Sequence, residues 1–146
     1  MADTTEKLEA NKKLARDYID QVFNQHNPDK AAVFVTGDVI WHGGGLGDIA
    51  GPENLAGLLE SFIGALPDLY AAEQDIIAEN DLVVVRLVVT ATVEGSLLGA
   101  PADGKPVHWD AVDIYRVTDG KISEEWADDV AAIMAPIGAF NPPWAA

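Results

Sequence analysis

The run Leu82-Val-Val-Val-Arg-Leu-Val-Val-Thr-Ala-Thr92 constrains this chain more than any other segment. At the two-residue period of a strand, Val83, Val85, Leu87, Val89 and Ala91 share one face, and Val84, Val88 and Thr90 the other. Both faces are mostly apolar, so both need cover. One can pack on helices. The other has to close a cavity or meet a partner subunit, and a homodimer is the expectation. Arg86 is the lone charge in the run and needs an acidic partner or a wet cavity.

Residues 69–79, 105–118 and 121–128 share the two-residue period. Asn80-Asp81 and Asp119-Gly120 are tight-turn signals, so neighbouring strands should pair antiparallel. Residues 95–104 form a longer loop with Gly and Pro. The first half reads differently. Leu8, Leu14, Ala15, Tyr18, Val22 and Phe23 recur at helical spacing over about residues 4–25, opened by a capping box from Asp3 to Glu6. His26-Asn27-Pro28 ends that helix, a shorter helical turn covers 29–35, and 38–42 reads as a short strand. Pro52 stands at the first position of a second helix, whose buried stripe is Leu55, Leu58, Leu59, Phe62, Ile63 and Leu66. Residues 130–137 predict a short terminal helix. Helices followed by a long curled antiparallel sheet make an α+β domain. It spans 1–146, with a core over about 4–138 and a tail at 139–146.

Of 146 residues, 24 are Asp or Glu and 9 are Lys or Arg, a net charge of −15. Phosphate backbones and anionic lipid surfaces would repel such a chain, so we expect no nucleic-acid and no membrane partner. Cys is absent, which excludes disulfides, thiolate nucleophiles and Cys-based metal sites and fits a reducing compartment. No apolar run reaches the roughly 18 residues of a membrane span. The polar N-terminus lacks a signal-peptide core. A soluble cytoplasmic protein is the expectation.

Gly45-Leu-Gly-Asp-Ile-Ala50 matches the dinucleotide pattern G-x-G-x-x-A, but a Rossmann unit needs parallel strands with repeated crossovers. We read a flexible loop able to act as a cavity lid. His42, His108 and Asp110 could be drawn as a two-His, one-carboxylate site, yet no helical metal-ligand spacing is present, and no metal or cofactor is expected. His26, at a helix end, reads as a surface residue favoured by the helix dipole. Asp113 lies mid-strand among apolar and aromatic residues, either paired with Arg86 or Arg116 or placed in a functional pocket. Trp126, beside Asp128 and Asp129, can wall a pocket holding one acid, though four carboxylates in 124–129 also fit a solvated end. Tyr18 lies on the buried stripe of the first helix, and its hydroxyl needs a partner.

Five stretches carry a resemblance: His42-Gly-Gly-Gly, Leu66-Pro-Asp-Leu69, Ala78-Glu-Asn-Asp-Leu-Val-Val-Val-Arg86, Gly99-Ala-Pro-Ala-Asp-Gly-Lys-Pro-Val107 and Asp119-Gly-Lys-Ile-Ser-Glu-Glu-Trp126. In this order the chain resembles the nuclear transport factor 2-like superfamily, a cone-shaped, cystatin-like α+β barrel with a deep pocket. Within it the chain resembles the SnoaL-like polyketide cyclase (ester cyclase) family. That resemblance implies cofactor-free ring closure by intramolecular aldol condensation, with an acid/base Asp after the last-strand Trp. Counting back from Ile137-Gly138 gives Asp129; counting forward from Trp126 allows Asp128. The family ending Gln-Leu-Gly is replaced here by Pro136-Ile-Gly138. The chain is also similar, more distantly, to ketosteroid isomerase, whose oxyanion-hole Tyr and protonated Asp fall at Tyr18 and Asp113. His42 falls where the general-base Asp would be.

The expected enzyme is a polyketide cyclase with Asp129 as acid/base, His42 as second base or donor, and Tyr18 and Asp113 stabilising an enolate. Trp41, Trp109 and Trp126 would stack on a small hydrophobic or aromatic carbonyl substrate, with Phe62 and Arg86 beside it. A hydrolase or isomerase of the same fold and a non-catalytic binding protein are the alternatives. An Arg flanked by two acids in the pocket would favour an epoxide opener.

Overall fold

A computed structural model describes residues 4–127, 130–139, 141, 143 and 144. The Asp3 cap, Asp128 and Asp129 lie outside the described residues. Helix α1, Thr4–Tyr18, buries Ala15 and Tyr18 and continues into a π-helical turn, Ile19–Asn24, that buries Ile19 and Val22. The apolar spacing predicts one helix here. The wider turn arises because Gln25 N–H and Asn27 N–H bond carbonyls five residues back, those of Asp20 and Val22. The chain then reverses at His26, whose φ is 57° and whose ring Nε2 lies 2.8 Å from the Leu69 carbonyl oxygen. His26 is thereby half-buried rather than a free surface residue.

A 3-10 turn, Pro28–Lys30, and the short α2, Ala31–Phe34, lead into β1, Val35–His42. The glycine-rich segment holds a 3-10 turn, Gly44–Leu46, and a short strand β2, Asp48–Ala50. Helix α3, Pro52–Ala65, follows with Pro52 at its first position, as its sequence predicts. Strands β3 (Tyr70–Glu79), β4 (Leu82–Thr92), β5 (Pro106–Thr118) and β6 (Lys121–Ala127) follow, then α4, Val130–Met134.

The six strands form one open sheet in the order β2-β1-β6-β5-β4-β3. β3 to β6 pair antiparallel, as the turns predict, while β1 joins β6 in parallel. Parallel pairing needs a long crossover, supplied here by nearly the whole intervening chain. Helix α1 lies against β3 and β4, α3 against β1 and β2, and α4 against β5. The inner face of β4 is the five-residue row foreseen in the sequence, Val83 to Ala91, at 0–6% exposure. Val107, Trp109, Ala111, Tyr115 and Val117 continue that face on β5, with Asp113 the one charged residue among them.

β6 breaks its own alternation. Arg116 and Val117 are consecutive on β5, but their partners are Glu124 and Ile122, so Ser123 is an extra residue. Such a bulge reverses the parity beyond it. Ile122 and Glu125 therefore both face inward and are buried, and Trp126 points out.

At Gly95 the start of the β4–β5 loop crosses the end of α3. The N–H groups of Glu94 and Gly95 both bond the Ala65 carbonyl, and a Cβ on Gly95 would lie 2.9 Å from the Ala65 Cα. Gly95→Ala should lower stability by about 1–3 kcal/mol through this overlap. Gly64→Ala, on the exposed side of α3 with open space around it, should raise it by up to about 1 kcal/mol. Urea midpoints of both variants check the pair.

Candidate functional site

Between the helices and the inner sheet face lies a cavity of about 280 Å³. Phe23 from the π turn, Trp41 from β1, Leu59 and Phe62 from α3, and Ile133 from α4 supply apolar wall. Asp113 and Glu125 bring carboxyl groups into that wall. A second, smaller cavity of about 40 Å³ is lined by Trp109, Leu87, Val89 and Ile19 among others, and it shares Phe23, Phe62 and Asp113 with the first. Among the described residues, no helix is long and apolar enough to cross a membrane, and no three His, Asp or Glu form a group able to hold a metal ion.

Each buried carboxyl is met by a tyrosine. The Tyr115 hydroxyl donates to Asp113 Oδ2 at 3.2 Å, and the Tyr18 hydroxyl donates to Glu125 Oε2 at 3.1 Å. The two phenol rings meet edge to face, centroids 5.8 Å apart. Burial pushes both phenols well above their ordinary pKa. The charge of Glu125 adds to this at Tyr18, and those of Asp113 and Glu125 add at Tyr115. Both phenols therefore stay protonated and act as donors.

The sequence points to Asp113 and Tyr18 but not to their partners. Tyr115 shares the inward face of β5 with Asp113, a signal available in the two-residue spacing. Glu125 is hidden by the β6 bulge, since simple alternation would turn Glu124 and Trp126 inward. Tyr18 itself lines neither cavity; its hydroxyl faces Glu125.

Other expected site residues scatter. Trp41 and Phe62 line the main cavity, and Phe62 meets Trp109 edge to face at 6.2 Å. Leu46 of the glycine-rich segment also lines the cavity, and a Cβ on Gly43 would collide with the Trp41 ring. Arg86 is on the outer face and donates to Asp75 at 2.7 Å, so neither Arg86 nor Arg116 is bonded to Asp113. His42 and Trp126 also lie on the outer face, which corrects their expected place in the pocket. Trp41 faces inward, so alternation turns its neighbour His42 out.

His42 belongs to a chain of charges on that outer face. Its Nδ1 lies 3.0 Å from Asp48 Oδ1 and its Nε2 2.9 Å from Glu124 Oε2, while the ring stacks on Trp126 at 5.1 Å. Arg116 lies over Trp126, donates to Glu124 at 3.0 Å and reaches Asp81 at 2.7 Å. An Arg between two acids is thus present, but outside the cavity where an epoxide opener would need it.

A sheet that closes an apolar cavity against helices is the nuclear transport factor 2-like architecture. The SnoaL-like polyketide cyclase model matches residues 13–137, and the chain belongs to that family. It is similar to AclR of Streptomyces galilaeus, a candidate hydroxylase, at 24% identity and TM-score 0.78, over 92% of this chain and 99% of that one. It is similar to IdmH of Streptomyces antibioticus, a candidate polyketide cyclase, at 27% identity and TM-score 0.67, over 82% and 93%. A candidate SnoaL-like polyketide cyclase of Jannaschia is 20% identical at TM-score 0.76, over 90% and 95%. No curated protein matches.

Hydrogen bonding to Glu124, then to Asp48, raises the His42 pKa. A pKa raised on folding stabilises fully below the ordinary His value of about 6.5, and that contribution is lost as pH rises through the folded value. Glu124 and Asp81 are held below the ordinary carboxylate range, by His42 and by Arg116 respectively, so both stay ionised in this window. Between about pH 6 and pH 8.5 the wild type should lose more stability than His42→Gln. Solvent screening limits the difference to about 1 kcal/mol or less. Denaturant midpoints at the two pH values measure it.

Proposed function

We propose that the protein is a cofactor-independent enzyme that closes a ring in a small, apolar or aromatic polyketone by intramolecular aldol reaction. The observation that carries this reading is an apolar cavity of about 280 Å³ with two buried carboxyl side chains, Asp113 and Glu125, in its wall. Family membership and the IdmH likeness support it. A base removes a proton alpha to one carbonyl, and the resulting enolate carbon attacks a second carbonyl carbon of the same molecule. The new alkoxide then takes a proton back. Atoms balance without an added reactant.

The family pattern gives the proton transfers to Asp129, with Asp128 as the neighbouring candidate. Both lie outside the described residues, but Ala127 before them and Ile133 after them line the cavity, which supports an acid in that segment. Asp113 is the hydrogen-bond donor to the enolate oxygen. The Tyr115 hydroxyl donates to its Oδ2 and holds the carboxyl in orientation. Tyr18 fixes Glu125 rather than touching substrate. Trp41 and Phe62 contact the flat faces of the ligand.

Asp129→Asn should lower kcat by roughly 10²–10⁴, with little change in stability, and Asp128→Asn much less. Asp113→Leu should cost roughly 10²–10³, and Asp113→Asn clearly less because the amide still donates. Steady-state kinetics on a polyketone that the wild type cyclises tests the set. A dead Asp113→Asn beside an active Asp129→Asn would move the base to Asp113, and full activity in all four would overturn the mechanism.

We also propose that the outer sheet face joins two copies. Ile77, Val84 and Ile114 stand in one row across β3, β4 and β5 on that face, with Val112 beside them. Ile77 is 63% and Val112 47% exposed in the single chain. Burial against a second copy would remove this apolar surface from water. Sedimentation at micromolar concentration should give a dimer that Ile77→Lys dissociates; a wild-type monomer overturns it.

A further inference from the structure

The exposed members of the main cavity's lining mark the side on which it opens. Trp41, Leu97, Asp113, Glu125 and Ile133 are buried, whereas Leu46, Ser61, Ser96 and Leu98 reach solvent. The charged groups thus lie in the depth, and the mouth is framed by the glycine-rich turn, α3 and the β4–β5 loop. Ser96 donates its hydroxyl to the Ala100 carbonyl oxygen at 3.2 Å and is committed to its own loop. Leu46 is 53% and Leu98 38% exposed, which leaves hydrocarbon at the opening.

Leu98 is costly where it stands. The N–H groups of Leu97 and Ala100 each bond the other's carbonyl, at 3.0 and 2.9 Å, and close a two-residue turn. Its central residues, Leu98 and Gly99, have φ values of 48° and 82°. The turn between β5 and β6 has nearly the same pair, 52° and 77°, at Asp119 and Gly120. Two positive φ values belong to type I′ turns, whose first central position favours Asn, Asp or Gly. A short polar side chain tolerates that left-handed region, while a bulky one crowds its own backbone. The chain follows the rule at Asp119 and breaks it at Leu98. Exposure of the leucine to water adds a second cost. Strain of this kind gathers at positions that hold a ligand.

We propose that Leu98 and Leu46 are specificity residues that grip the substrate at the mouth, and that the substrate carries an alkyl chain on the end remote from its reacting carbonyls. This rests on the reading of the cavity as the substrate site. With Asp113 and Glu125 in the depth, the reacting carbonyls go inward and the far end of the flat body comes to the mouth. A hydrocarbon chain there takes apolar surface of both partners out of water, which a bare ring ending inside the cavity does not. Among the described residues no charged side chain lines the mouth, so a carboxylate or ammonium at that end of the ligand would find no counter-ion.

The test compares acetonaphthone with its butyl derivative, substituted at the ring carbon farthest from the acetyl group, on the full chain. We expect the butyl chain to tighten binding to the wild type roughly tenfold. Leu98→Asn should remove most of that gain and leave acetonaphthone binding within about twofold. It should also raise the melting temperature by a few degrees, since Asn suits the turn. Leu46→Ser should lose part of the gain without touching that turn. In the wild type, nuclear Overhauser contacts should link the butyl protons to the methyl groups of Leu98 and Leu46, a measurement that needs no variant. Equal binding of the two ligands overturns the inference and leaves the cavity as a ligand site. A butyl gain that both variants keep, without those contacts, also overturns it. A Leu98→Asn protein that melts lower and keeps the gain assigns Leu98 to loop packing, which overturns it too. If that variant melts lower and loses the gain, the wild-type contacts decide: their presence carries the proposal and their absence overturns it. Binding of neither ligand overturns both this inference and the function on which it rests.

Discussion

The hydroxyl of Tyr18 on the carboxyl of Glu125 joins the first helix to the last strand across 107 residues, with both groups fully buried. A carboxyl in such a place has to have a donor, because its loss from water is otherwise uncompensated. Meeting that need fixes α1 over the sheet, and the Tyr18 ring then presses edge-on against Tyr115, Phe23 and Phe34. Tyr115 in turn holds Asp113. The polar side of the cavity is thus set by two phenols that never reach its surface as donors to a ligand.

Much of this architecture can be read from the chain. Strong alternation in β4 and β5 gives their inward rows, and the turn residues between β3, β4, β5 and β6 give their antiparallel order. The parallel β1–β6 contact leaves no local mark, since nothing near Val35 refers to Ile122. The π turn is hidden for a related reason. An extra residue in a helix changes which side chains face inward without changing composition, and it carries Phe23 to the cavity wall.

The site was legible where the strand period holds and illegible where it slips. Asp113 stands out as a lone carboxyl in a regular inward row. Trp126 and Glu125 trade places because one residue, Ser123, is inserted in β6. The same slip builds the outer network, since Trp126 becomes the surface on which His42 and Arg116 rest. Asp129 rests on the family pattern alone, whereas the Trp109 nitrogen, in a ring expected as a flat surface, has no hydrogen-bond partner among the described residues, which only three dimensions reveal.

The parallel seam between β1 and β6 has a consequence during synthesis. Val35 leaves the ribosome well before its partner Ile122, which belongs to the last strand of this sheet in chain order. At roughly 5–20 residues per second, the roughly 90 residues between them take on the order of 5–20 s. For that time one edge of β1 has no partner, and β4, once made, waits for β5 to cover its second edge. An unpaired edge beside exposed valines is a template for association with other chains. The nascent chain therefore passes through a window of aggregation risk that closes only when the final strand arrives and the first and last parts of the fold meet.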